Sequence, residues 1–161
     1  MKKSKGEILA RLENDVLLVA EGYLFEMERR GYLKAGPFVP EVVLDFPLAV
    51  KQLHEEFVRA GSDVVVAFTY YGHRAKLRAI GKEDLLEKLN RNALAIARDV
   101  ARETGTLLAG NLSNTWEYVP DSNKSEKTVR SIFDEQVAWA VDEQADFLAA
   151  CAEIVDQLSL T

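Results

Sequence analysis

Cysteine and histidine are scarce in this chain of 161 residues. It contains one cysteine, Cys151, and two histidines, His54 and His73. A single thiol excludes a disulfide within one chain and a zinc site built from several cysteines of that chain. His54 lies in QLHEEF, which lacks the HExxH spacing of a helical zinc site. The residues themselves therefore predict no metal site.

An excess of positive charge is also absent. The net charge is −6, which argues against binding to nucleic acid or to an anionic membrane surface. No apolar run is long enough to cross a bilayer. The basic start, MKKSKG, leads into a short amphipathic stretch at residues 7–12 and not into an apolar signal core. We expect a cytoplasmic protein.

Three nucleotide and hydrolase motifs are missing. The sequence has no GxGxxG, no GxxxxGK[ST] and no GxSxG. Dinucleotide binding at a first strand–helix turn, phosphate binding by a P-loop and a hydrolase nucleophile elbow are therefore not indicated.

Short apolar runs alternate with amphipathic stretches along the chain. The runs predict strands at residues 16–20, 63–72, 106–114 and 146–152. Helices are predicted at residues 23–30, 48–60, 83–104 and 153–160, with one short turn between Pro40 and Pro47. This order predicts a parallel α/β sheet in a single domain over residues 1–161, with the first strand covered on both faces.

One further helix is predicted after the third strand, with Ser125 as its N-cap. Its buried face is predicted from the apolar spacing to contain Val129, Ile132, Phe133, Val137, Ala140 and Val141.

Polar or reactive side chains follow each predicted strand at its carboxyl end. They are Glu21 and Gly22, then Thr69, Tyr70, Tyr71 and His73, then Asn111, Ser113 and Asn114, and finally Cys151. Such positions converge on one face of a parallel sheet or barrel. Taken singly, each has an ordinary explanation: a turn carboxylate, a solvated loop histidine beside Arg74, or a core thiol. Tyr70 and Tyr71 point to opposite faces unless the strand has already ended.

Three long strings carry a family resemblance. EGYLFEMERRGYLKAGPFVPE, VKQLHEEFVRAGSDVVVAFTYYGHRAKL and LNRNALAIARDVARETGTLLAGNLSNT occur in this order. Residues 6–148 resemble the homocysteine S-methyltransferase family, and within it the betaine–homocysteine branch. The resemblance implies a (β/α)8 TIM barrel, of which this chain supplies about four βα units. It also implies a zinc ion held by three cysteine thiolates, which binds homocysteine as a thiolate for attack on a methyl donor.

The resemblance also implies roles for individual residues. In the family an Asp-Gly-Gly loop after the first strand contacts homocysteine, and an aromatic pair after the second encloses the donor. Gly22 matches the second glycine, whereas Glu21 departs from the pattern; Tyr70 and Tyr71 match the aromatic pair. We expect Glu21, Gly22, Tyr70, Tyr71 and Asn111 to line the substrate site, with cation–π attraction for a quaternary ammonium donor.

Three functions stay open at this point. The first is methyl transfer from betaine or a similar small donor to homocysteine, giving methionine, with this chain inactive alone because it lacks the zinc cysteines. The second is a truncated, non-catalytic relative that acts as a binding or assembly module, for example as a homo-oligomer that covers exposed sheet edges. The third is another α/β enzyme that uses Glu21, His73 and Asn111 as an acid–base set.

Overall fold

The computed structural model describes residues 5–34 and 41–150. Its elements, in chain order, are α1 (Lys5–Asn14), α2 (Tyr23–Arg29), α3 (Val42–Asp45), α4 (Pro47–Arg59), β1 (Val64–Val66), α5 (Arg74–Ala79), a 3-10 turn (Glu83–Leu85), α6 (Leu86–Thr104), β2 (Leu107–Leu112), α7 (Asn123–Asp142) and β3 (Phe147–Ala150). This is the predicted alternation of helices and strands. The predicted helix at 153–160 and Cys151 lie outside the described residues.

The sheet is parallel, as predicted. Its three strands are ordered β1-β2-β3, with Val65 opposite Leu108 and Asn111 opposite Ala149. Parallel strands need crossover connections, and helices α5 and α6 supply the one between β1 and β2, while α7 supplies the one between β2 and β3. The carboxyl ends of all the strands therefore lie at one edge of the sheet.

The predicted first strand, residues 16–20, lies beside β1 and forms a single parallel bridge between Val19 and Val64. Ala20 N donates to Val64 O over 3.0 Å, which keeps the segment parallel to β1. The prediction that both faces are covered is wrong, because Val16 is 71% and Leu18 57% exposed. The segment has a strand on one side only, and nothing in the described part of the chain buries these two side chains.

Helix α6 packs its apolar stripe on one face of the sheet. Leu89, Ala93 and Ala97 are buried in the same core as Val65 and Leu108. The helix ends at Gly105, which has a φ of 74° and adopts the left-handed conformation that glycine tolerates best. The predicted helix at 83–104 is confirmed, with its first turn in 3-10 geometry.

The alternate strand residues face the other way. Val64, Leu107 and Ala109 form a second cluster, against which Ile8 of α1 packs. Arg11 of α1 also pairs with Asp63 at 3.2 Å, just before β1. Helix α1 thus covers part of the second face of the sheet.

Helix α7 differs from its prediction in two details. Ser122, not Ser125, is its N-cap: the Ser122 hydroxyl accepts from Ser125 N at 3.4 Å, while the Ser125 hydroxyl donates to Val119 O at 2.9 Å. Val141 is 68% exposed and does not belong to the buried face, to which Trp139 belongs instead. Two residues turn an α-helix by about 200°, so Val141 faces away from Trp139.

Two short helices, α3 and α5, lie between the longer elements. The helical turn predicted between the prolines is α3, Val42–Asp45. Helix α5, Arg74–Ala79, was not predicted. Among the described residues no helix is both long and apolar enough to span a membrane; the cytoplasmic location stays a prediction.

Candidate active site at the strand ends

The loop after β1 brings Tyr70 and Tyr71 together. The strand ends at Val66, earlier than predicted, and Gly72 N donates to Thr69 O at 2.7 Å to close a turn around the two tyrosines. Tyr71 has a φ of 60°. The ring centroids are 4.1 Å apart, with the planes inclined at 34°. Because the strand has already ended, the alternation of side chains no longer applies and both rings lie side by side.

A hydrogen bond from Asn90 of α6 holds the turn in place. The buried Asn90 amide donates to Gly72 O at 2.7 Å and to Leu86 O at 2.8 Å. A Cβ added to Gly72 would lie 2.9 Å from Thr69 O, so only glycine fits without a shift of the backbone. Helix α6 therefore positions the aromatic pair, although none of its residues belongs to the pair.

A positive charge already lies over one of the rings. Lys76 Nζ is 4.4 Å from the centroid of the Tyr71 ring, within the range of a cation–π contact. Tyr71 and Lys76 are half-buried, whereas Tyr70 is 38% exposed. The pair therefore has one ring in contact with a cation and one ring accessible to solvent.

Asn111, near the end of β2, belongs to a polar network that joins the two strand ends. The Thr69 hydroxyl donates to Asn111 O at 3.0 Å, and Asn111 Nδ2 donates to Thr69 Oγ1 at 3.3 Å. Ser113 Oγ donates to Thr69 O at 2.9 Å, and Gln136 of α7 accepts from Ser113 N at 3.1 Å. Asn111 is thus linked to the residue that immediately precedes Tyr70.

Glu21 and Gly22 lie at the same edge, after the segment that is bridged to β1. Gly22 is the N-cap of α2, with a φ of 81°, and Gly22 O accepts from Glu26 N at 3.1 Å. Glu21 is exposed. The five predicted site residues therefore occupy three neighbouring strand ends, with Tyr70 and Tyr71 in contact and Asn111 joined to them through Thr69. Their part in substrate binding stays a prediction.

Both histidines are buried, so the interpretation of His73 as a solvated loop residue is wrong. His73 caps α5, since its Nδ1 accepts from Lys76 N at 3.4 Å. Burial, followed by the nearby charge of Lys76, lowers the pKa of His73 to about 4. The sequence signal for this role was its position just before Arg74 of α5, but α5 itself was not predicted.

His54 of α4 lies in the core behind β1. Its Nδ1 is 2.9 Å from the Tyr23 hydroxyl, which also accepts from Val66 N at 3.3 Å. Burial lowers the pKa of His54 to about 3 and raises the pKa of the Tyr23 hydroxyl. Neither group is charged near neutral pH, and both serve to tie α2 and α4 to the strand.

A groove of about 850 Å³ lies between α5 and the first half of α7, the helices that follow β1 and β2. Arg74, Arg78, Lys124 and Lys127 line it, together with Glu117. Arg74 is paired with Glu135 at 2.6 Å and with Glu83 at 2.5 Å, and Arg78 with Glu83 at 2.9 Å. Two of the four basic side chains in the groove are therefore paired with carboxylates of the protein.

The residues of this chain do not fit a zinc site with three thiolates. The 161 residues contain one cysteine. Among the described residues no cluster of three His, Cys, Asp or Glu side chains is placed to hold a metal ion.

Comparison with known proteins gives consistent matches. The chain is 42% identical over 154 residues to betaine–homocysteine S-methyltransferase 1 of Sus scrofa, covering 92% of this chain and 55% of that protein. It is 43% identical over 154 residues to the Rattus norvegicus protein of the same name, covering 92% of this chain and 37% of that protein. The chain thus spans about a third to a half of the length of these relatives.

A solved structure supports the fold. The metallated form of the homocysteine methyltransferase MmuM from Escherichia coli superposes with a TM-score of 0.71 at 23% identity, covering 88% of this chain and 55% of that one. The sequence model of the family described as homocysteine S-methyltransferase matches residues 18–157. The chain belongs to the homocysteine S-methyltransferase family.

Proposed function

We propose that this chain forms the donor-binding part of a homocysteine S-methyltransferase site, on about the first four βα units of a TIM barrel. The observation that carries the proposal is the Tyr70–Tyr71 pair, which lies outside the strand with its rings 4.1 Å apart. One of these rings already contacts a cation, the ammonium group of Lys76. Relatives named betaine–homocysteine S-methyltransferase support a methylated cation as the donor.

The aromatic pair suits a methyl donor with a permanent positive charge. Cation–π attraction contributes about 0.5–1 kcal/mol at an exposed ring and about 2 kcal/mol where the cation is desolvated. A quaternary ammonium group has no N–H donors, so an aromatic face can bind it without leaving a hydrogen bond unsatisfied. Tyr70, at 38% exposed, offers such a face to a ligand from solvent.

The neighbouring strand ends suit the other substrate. We place homocysteine against Glu21 and Gly22, with the Glu21 carboxylate accepting from the substrate ammonium group. The left-handed φ of 81° at Gly22 turns the chain into α2 immediately after Glu21. Asn111 of β2 is restrained by hydrogen bonds with Thr69 and Ser113. We propose its side chain as a further polar contact for the substrate.

The reaction proposed for the complete site is a single displacement. The homocysteine thiolate forms a bond to a donor methyl carbon, the bond from that carbon to nitrogen breaks, and its electron pair returns to nitrogen. The products are methionine and a neutral tertiary amine. Zinc-thiolate activation of homocysteine, which the family resemblance implies, needs residues that this chain does not contain, so we propose that the 161 residues alone do not turn over.

A second candidate function is assembly with another chain. Val16 and Leu18, beside the open edge of the sheet, are 71% and 57% exposed, and Leu148 of β3 is 38% exposed. Exposed apolar side chains along strand edges favour pairing with a further strand. The partner is either a second copy of this chain or a chain that supplies the remaining barrel strands.

Methionine formation tests the catalytic proposal. The purified chain is incubated with zinc, homocysteine and one of four donors: betaine, dimethylsulfoniopropionate, S-methylmethionine or S-adenosylmethionine. We expect no turnover by the chain alone, but saturable binding of at least one donor that Tyr70→Ala weakens. Turnover by the chain alone contradicts the proposed inactivity, and absence of any donor binding contradicts the proposed donor site.

A further inference from the structure

The groove between α5 and α7 has the size of a small-molecule site. Its volume of about 850 Å³ lies in the range of about 300–1,000 Å³ that is typical of ligand pockets. Each helix contributes residues three to four positions apart, which lie on one helix face. From α7 these residues are Lys124, Lys127, Thr128 and Ser131. None of the five residues expected at the substrate site lines the groove, so a ligand bound here goes beyond the proposed function.

Lys124 and Lys127 bring two positive charges to the α7 side of the groove. Both side chains are exposed. They are three residues apart on one helix, so their Cβ atoms lie about 5–6 Å from each other. Over residues 8–34 and 41–150 no carboxylate oxygen lies within 4.0 Å of either ammonium group. Like charges at this spacing repel each other, and an anion that contacts both lysines removes that repulsion.

Arg78 faces the two lysines from the α5 side of the groove. Its Nε and Nη2 donate to Glu83 at 2.9 and 3.0 Å, which orients the guanidinium group, whereas its Nη1 has no acceptor in the described part of the chain. Arg74 is held by both Glu83 and Glu135. Glu117 is the one carboxylate among the described residues that line the groove. It is exposed, so solvent and salt screen its charge.

Apolar side chains also line the groove. They are Ala75 and Ala79 of α5 and Ile132 of α7. Ile132 is buried and Ala75 is half-buried. The two alanines are small, so α5 leaves open the space that larger side chains at these positions would fill. An uncharged organic group gains by covering this surface, and a bare inorganic anion does not.

We propose that this groove binds a small soluble phosphate monoester, with the phosphate group on Lys124 and Lys127 and the organic group on the apolar lining. A phosphate monoester carries a charge of about −1.5 to −2 at neutral pH and has three acceptor oxygens. It can therefore accept charge-assisted hydrogen bonds from both lysines at once. A single carboxylate has one charge and two oxygens, so it balances only one of the two ammonium groups.

The charge is tested with phenyl phosphate as the probe, by isothermal titration of the full 161-residue chain in a phosphate-free buffer. We expect saturable binding with a Kd below about 1 mM. Lys124→Gln and Lys127→Gln should each weaken it about tenfold, because each removes one charge-assisted contact. Lys127→Arg keeps the charge and should bind within about threefold of the unaltered chain. Lys88→Gln, at an exposed lysine of α6 that does not line the groove, removes the same charge and should change nothing.

The apolar lining is tested by Ala79→Leu, which fills part of the groove without removing a charge. We expect it to weaken phenyl phosphate about fivefold or more and to leave the weaker binding of inorganic phosphate unchanged. Leucine is a good helix former, so α5 is expected to persist, and circular dichroism of each variant shows that it is folded.

Four results would overturn the inference. Phenyl phosphate that does not bind saturably removes the site, and equal losses in Lys124→Gln and Lys88→Gln show a general effect of net charge. Inorganic phosphate that binds as tightly as phenyl phosphate shows that the organic group has no place in the groove. Hexaglutamate that binds more tightly than phenyl phosphate assigns the groove to an acidic protein segment instead. No methyl donor is used in these titrations, so their outcome is independent of the proposed function.

Discussion

Tyr71 carries the conformational strain of the candidate site. A φ of 60° is uncommon for a bulky side chain, and such a conformation costs about 1–3 kcal/mol, so it persists only where the surrounding structure holds it. The hydrogen bonds from Gly72 N to Thr69 O and from Asn90 to Gly72 O hold it here. This left-handed conformation is what places the Tyr71 ring beside the Tyr70 ring and not on the opposite side of the backbone.

The substitution Gly72→Ala is expected to disturb the aromatic pair. Its Cβ would lie 2.9 Å from Thr69 O, so the turn must shift, with a destabilisation of about 1–3 kcal/mol. Urea unfolding measures the stability, and near-ultraviolet circular dichroism reports on the tyrosines. Gly31→Ala is the control, because its φ of 78° costs about 1–2 kcal/mol while nothing lies within 4 Å of the added carbon. Unchanged tyrosine signals in Gly72→Ala would contradict the close fit.

The buried histidines predict a loss of stability in mild acid. Burial lowers the pKa of His54 to about 3 and that of His73 to about 4, whereas in the unfolded chain both have a pKa of about 6.5. Below pH 6.5 the unfolded chain binds protons that the folded chain does not. The free energy of unfolding therefore falls as pH falls, by up to about 1.4 kcal/mol per pH unit for each histidine.

The variant His73→Asn separates the two contributions. Asparagine is a good N-cap and can accept from Lys76 N in place of the imidazole, yet it does not titrate. Between pH 6.5 and about 4, we expect the slope of the free energy of unfolding against pH to fall by the equivalent of one bound proton, about 1.4 kcal/mol per pH unit. The contribution of His54 to the slope stays in place. Urea unfolding at several pH values gives the slope, and a slope equal to that of the unaltered chain would refute the assignment.

At the scale of single elements, the cap of α7 is a local determinant of stability. The Ser122 hydroxyl accepts from Ser125 N, and loss of an N-cap acceptor costs about 1 kcal/mol. We expect Ser122→Ala to lower the free energy of unfolding by about that amount. Ser131→Ala, an exposed serine within the same helix, is the matched control and should have little effect. Equal effects of the two variants would argue against the cap.

Long helices were predictable because their apolar spacing repeats. The stripe of α6 follows directly from the sequence, and the predicted start of α4 at Leu48 is one residue after its observed start at Pro47. Helix α5 has only six residues, too few for a repeating apolar stripe, and its cap is a histidine, so no local pattern marks it. Strand β1 is shorter than its apolar run because the chain leaves the sheet before Thr69, whose hydroxyl then bonds to Asn111 O.

The location of the candidate site was also predictable, but its internal contacts were not. Parallel pairing alone places the residues after Ala20, β1 and β2 at one edge. The contact between the tyrosine rings depends on the φ of Tyr71, and the placement of Lys76 depends on the unpredicted α5. Such contacts follow from backbone conformation, which the residue types do not specify.

At the scale of the whole molecule, the first edge of the described sheet has exposed apolar side chains. Residues 16–20 pair with β1 on one side, and Val16, Leu18 and Val19 are exposed. In a closed barrel each strand has neighbours on both sides and such an edge does not exist. The chain covers 55% of the homocysteine methyltransferase structure on which it superposes.

Self-association through this edge is therefore expected, and a charge should weaken it. Leu18 is 57% exposed, and its carbonyl bonds to Val64 N at 3.2 Å while its side chain is not part of the core. Leu18→Lys should preserve the fold yet shift the mass measured by light scattering from dimer toward monomer, since an edge lysine opposes strand pairing. Leu48→Lys, at a position 75% exposed on α4, introduces the same charge away from the edge and should leave the mass unchanged. A monomeric unaltered chain, or equal dissociation by both variants, would contradict pairing through this edge.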